Sequence, residues 1–127
     1  MNEQQTFQRG EIVMIPFPYI TDFSRTRERP AVIIQNDIGN RYSPNLIVAA
    51  ISSQIPPRHY PIHFVVRQGS PDAEDTGLDQ DSIVQTEVLL TIPKTQVTQK
   101  VGRFNSNAMR AIDHCLRVSL ALDLPFV

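Results

Sequence analysis

A chain of 127 residues with 41% hydrophobic and 20% charged side chains has the composition of one soluble globular domain with its own core. A net charge of −1 gives no global pull towards nucleic acid, and a single cysteine, Cys115, excludes an internal disulfide and a cysteine-based zinc site. The polar start MNEQQTFQRGE lacks the apolar run of a signal peptide and no stretch approaches a membrane span, so the expectation is a cytoplasmic protein.

One domain is expected over 1–127, with 1–8 as a flexible extension. EIVMIPF (11–17) reads as a strand, at an edge or bent where Pro16 cannot donate to a ladder. PYITDFSRTRER (18–29) reads as a polar connection, and AVIIQ (31–35) as a short strand begun by Pro30. Asn, Gly and Pro make NDIGNRYSPN (36–45) a turn-rich loop, whereas LIVAAI (46–51) is a continuous apolar run suited to a central strand buried on both faces. A stiff IPPRHYP loop then leads to the strand IHFVV (62–66). The acidic stretch 68–81 reads as a loop, and the acids of 70–87 as solvated, because they lack the ligand order of a calcium-binding loop. SIVQTEVLLTI (82–92) fits two strands or one bent strand, and KVGRF (100–104) a further short one. Asn105 or Ser106 can cap a final helix whose face is Met109, Ile112, Leu116 and Leu120. The expected fold is mainly β: a small, twisted, largely antiparallel sheet or partly open barrel with a C-terminal helix over it.

Few residues carry obvious chemistry. His59 and His63 stand four apart but not on a helix, which excludes a HExxH-type zinc site, and all three histidines, His114 included, read first as structural or exposed. No glycine-rich phosphate loop is present. Arg25, Arg27 and Arg29 alternate up to Pro30 and share one side if that segment is extended; an exposed basic loop fits them equally. Ser52 ends the central apolar run, a common place for a turn serine.

RGEIVMIPFP followed by RPAVIIQNDIGNRYSPNLIVAAISSQ decides between these readings. Together with YPIHFVV, DSIV, LTI and LRVSLALD, these segments resemble the MazF/PemK family of bacterial toxins from about Arg9 to Asp123. The resemblance implies a compact SH3-like, CcdB-type barrel (α+β) that forms a homodimer. It also implies cleavage of single-stranded RNA at short motifs without metal or cofactor, and inhibition by a cognate antitoxin. The family's catalytic arginine falls on Arg29, and its catalytic hydroxyl, usually a threonine, on Ser52. RNA binding falls on the loop before the Arg-Pro pair, where this chain has Arg25 and Arg27, on Ser53 and Gln54, and on an acidic residue at Glu87. This chain departs from the family pattern at Val88, where a glutamine is usual, and at Leu90, where an arginine is usual.

Metal-free cleavage uses the neighbouring 2′-OH as nucleophile and needs extra negative charge on phosphorus to be stabilised. A planar guanidinium suits that task, and a serine hydroxyl can add a second donor. A guanidinium with a pKa above ~12 is a poor base, which leaves His59 and His63 as outside candidates for the proton. Two other readings compete: a toxin of the same barrel class that poisons a protein target such as gyrase, and a binding module for antitoxin or RNA that no longer cuts. The Arg29/Ser52 pair favours the nuclease.

Overall fold

The computed structural model describes residues 5–18, 21–22 and 24–123. Six strands run in the order β1 (Glu11–Pro18), β2 (Thr26–Ile33), β3 (Asn45–Ser52), β4 (His63–Val66), β5 (Ser82–Pro93) and β6 (Gln99–Arg103), with helices α1 (Asp37–Tyr42) and α2 (Ser106–Leu120). They form one antiparallel sheet in the spatial order β4-β5-β3-β2-β1-β6, curled into a half-barrel. The mainly-β architecture with a C-terminal helix is therefore as expected, and β3 is central, as its apolar run requires.

Period-two alternation splits the core between the two faces of the sheet. One face carries Val13, Ile15, Phe17, Ala31, Ile33, Val48 and Ala50; the other carries Ile12, Val32, Ala49, Ile51 and Val84 and lies under Ala108, Ile112 and Leu116 of α2. Asn105 caps α2 by accepting the Ala108 amide at 2.8 Å. The buried stripe of α2 is Ala108, Ile112, Cys115 and Leu116: Ile112 and Leu116 of the expected face are in it, Met109 and Leu120 are not. Met109 is half-buried and Leu120 is exposed.

Three local readings need correction. Residues 26–29 are not connection but the first half of β2, which pairs with β1 from Thr26 to Val32. Pro30 is tolerated because β2 pairs with β3 only from Ala31 to Ile33, and Pro16 because β6 pairs β1 only over Glu11–Met14. Residues 37–42 are helical rather than a loop: Asn36 accepts the Gly39 amide at 2.7 Å, and buried Asn40 donates to the Gln35 carbonyl at 2.8 Å and to Asp37 at 3.0 Å. Polar residues that look turn-forming in sequence here supply the caps of a short helix. Within the segment expected to be a flexible extension, Phe7 is buried in the first core face.

The acidic loop folds around two close approaches. A Cβ on Gly102 would lie 2.3 Å from the Asp75 carbonyl oxygen, and one on Gly77 would lie 2.3 Å from that of Val101. Gly77 also has φ +72°, which suits glycine. No helix among the described residues is long and apolar enough to cross a membrane.

Candidate active site

The site lies where β2 and β3 part. Their pairing ends at Ala31 opposite Ala50. Two residues further along each strand, on the same face, stand Arg29 and Ser52, and continuing the register by one pleat sets them opposite each other. The central strand therefore ends on a hydroxyl, and an arginine stands at the entry of its neighbour, because the two strands form a fork with a donor on each prong.

Arg29 is half-buried, and its guanidinium lies over the Phe17 ring, 4.9 Å from the centroid. Its one hydrogen bond among the described residues runs from Nη2 to Gln85 Oε1 at 3.3 Å. No carboxylate among the described residues pairs with it. Burial lowers its pKa from the ordinary arginine value, and the neighbouring Arg27 charge lowers it further. A guanidinium in this setting still holds its charge, and an incoming anion restores what desolvation removed.

Ser52 Oγ accepts the Gln54 amide at 3.0 Å, a tight turn that closes β3. The bond occupies a lone pair and leaves the hydroxyl proton to donate. Ser53 and Gln54 follow directly and are exposed at the mouth of the fork. Arg27 is exposed on β2 two residues before Arg29, so those two arginines do share a side; Arg25 is also exposed, immediately before the strand.

The far wall is built by an irregularity in β5. Ala49 pairs with Leu89 but Ala50 pairs with Gln85, so Thr86, Glu87 and Val88 bulge out of the β3 ladder. The expected bent strand is thus one strand with its bend at those residues. Thr86 is fully buried and pinned: its hydroxyl meets the carbonyls of Ile62 at 2.6 Å and Cys115 at 3.2 Å, and its carbonyl accepts from Ser119 Oγ at 2.9 Å. Glu87 is exposed and bonds His63 Nε2 at 2.9 Å. Val88 and Leu90 turn inward against the first core face, so the two positions that depart from the family pattern are spent on packing.

The structure thus brings Arg29 and Ser52 together, with Arg27, Ser53 and Gln54 beside them and Glu87 on the bulge. Phe17 is buried beneath Arg29. His59 and His114 are exposed and join none of these contacts. Gln85, the Phe17 support and the His63–Glu87 pair were missed by sequence reasoning. The signal available was the polar triplet Gln85–Thr86–Glu87 interrupting an otherwise apolar strand, a mark of a bulge.

Known proteins share this fold. The curated relative named endoribonuclease EndoA, from Bacillus subtilis (strain 168), is 36% identical over 115 residues, spanning 91% of this chain and 95% of that protein. A mycobacterial endoribonuclease in complex with its cognate antitoxin superposes with a TM-score of 0.74 at 19% identity, covering 94% of this chain and 100% of that one. MazF in the MazE–MazF complex of Deinococcus radiodurans gives 0.71 at 11% identity, with 94% and 100% covered. Residues 8–120 match the family model described as PemK-like, MazF-like toxin of type II toxin–antitoxin system, and the chain belongs to that family.

Proposed function

We propose that this chain is the toxin of a type II toxin–antitoxin pair and an endoribonuclease that cuts single-stranded RNA at the β2/β3 fork. One observation carries the reading: one register step beyond the last β2/β3 pair, on one face, lie a half-buried arginine that meets no carboxylate among the described residues and a serine whose Oγ accepts an amide and donates to no described residue. Such a pair accepts a phosphate.

In the reaction, the 2′-oxygen attacks the adjacent phosphorus and the P–O5′ bond breaks. The 2′-OH proton leaves to a base, and the departing O5′ gains a proton. The products are a 2′,3′-cyclic phosphate and a 5′-OH. Arg29 and Ser52 donate to the non-bridging oxygens, where negative charge builds as the fifth bond forms. Arg29 serves electrostatically rather than as the base. Arg25 and Arg27 bind the RNA backbone, while Ser53, Gln54 and Glu87 line its path. The chain acts as one domain in the cytoplasm, as a homodimer, and a cognate antitoxin occupies the arginine-lined groove with acidic groups that mimic phosphate.

The decisive experiment uses a long single-stranded transcript with mapped cut sites. Arg29→Ala and Ser52→Ala should each lose roughly 100- to 1,000-fold in rate while melting like the parent protein. Chelator should leave the rate intact. Deoxyribose placed only on the 5′ side of one scissile phosphate should abolish that cut alone. Normal cutting of the single-deoxy substrate would sink the mechanism.

A further inference from the structure

The guanidinium of Arg29 is held by an acceptor that carries no charge. Ala31, Ala50, Gln85 and His63 lie in one row across β2, β3, β5 and β4. Arg29 is one pleat further out on the same face. Arg29 on β2 and Gln85 on β5 are separated by β3, and across it Gln85 Oε1 accepts from Arg29 Nη2 at 3.3 Å. Arginine has no acceptor, so the amide is locked with its oxygen towards Arg29 and its NH2 turned away. Gln85 itself sits at the edge of the bulge whose next residue, Thr86, is pinned to Ile62 and Cys115. Its backbone is thereby fixed from two sides.

The choice of an amide has a chemical consequence. A carboxylate at this position would also orient the guanidinium, but it would cancel its charge and compete with a phosphate for the same N–H groups. An apolar residue would leave the guanidinium free to swing over Phe17.

Resting on the reading of Arg29 as the phosphate-binding group, we propose that Gln85 is a positioning residue for the cleavage reaction: its amide oxygen aims the Arg29 guanidinium into the fork without neutralising it.

The test compares wild type, Arg29→Ala, Gln85→Leu and Gln85→Glu on a single-stranded transcript whose cut sites are mapped with the wild-type protein. Gln85→Leu should lower kcat by about 10- to 100-fold with KM little changed, because misaimed catalytic groups cost rate before binding. Gln85→Glu is nearly isosteric, so it guards against a folding failure. It should be weak at neutral pH and recover as the introduced carboxyl protonates, an acid-side gain the wild type lacks. A wild-type kcat in Gln85→Leu, or a Gln85→Glu profile parallel to wild type, overturns the proposal while an inactive Arg29→Ala keeps the parent reading. An active Arg29→Ala overturns both.

Discussion

A half-buried arginine with a phenylalanine beneath it and a glutamine at its side meets no carboxylate among the described residues. This separates the roles of charge and shape at position 29. Arg29→Lys keeps the cation but loses the planar fork, so it should retain more cleavage than Arg29→Ala and still fall well short of the parent. At position 52 the hydroxyl matters more than the carbon skeleton. Ser52→Thr should keep or raise the rate, since threonine's stiffer χ1 holds the same donor, whereas Ser52→Ala should fall with Arg29→Ala. Fragment-end sequencing over time reads both series, and a Ser52→Ala protein at full rate would remove the hydroxyl from the mechanism. Arg29 and Ser52 were legible as candidates only through the resemblance carried by RPAVIIQNDIGNRYSPNLIVAAISSQ; by spacing alone an exposed basic loop and a turn serine fitted as well. Gln85 was not, because its meaning depends on a register spanning β2, β3 and β5, and its neighbours in sequence say nothing of Arg29.

Among elements, strands set by apolar runs were readable and those set by pairing were not. The LIVAAI run announced β3, whereas β2 begins five residues before its apolar stretch because β1 offers a partner ladder there. The helix α1 was hidden for a related reason: its stability comes from specific side-chain bonds rather than from periodicity. Its Asp37 has a pKa below the ordinary value near 3.8, first because it accepts the Arg9 amide and next because Asn40 donates to it. A lowered carboxylate pKa stabilises the fold at every pH above that ordinary value. The contribution is lost as pH falls through the lower, folded-state pKa. Asp37→Asn should therefore weaken the protein at neutral pH and flatten the acid limb of its stability curve, measured by denaturant melts from pH 7 downwards. Equal losses at neutral and strongly acidic pH would show that the carboxylate's ionisation is irrelevant. The contact between the acidic loop and β6 makes a steric prediction. Gly102→Ala must push the Asp75–Thr76 backbone away, and should cost stability at the upper end of the ~1–3 kcal/mol typical of overpacking.

At the scale of the molecule, a half-barrel has two open edges, β4 and β6, and unpaired edges invite association. A two-fold homodimer is the expected assembly. Light scattering that returns a monomer mass at micromolar concentration would contradict it. The same sheet order also dictates a schedule. The strands β1, β2 and β3 are laid down consecutively, so the fork holding Arg29 and Ser52 comes out early in synthesis. β1, however, takes its second partner from β6, and the bulge that carries Gln85 is fastened by Ser119 near the end of α2. Contacts so distant along the chain form last. Synthesis from the N-terminus therefore delivers Arg29 and Ser52 well before Gln85 and Ser119, so the bulge beside the fork is fastened only when the chain is nearly complete.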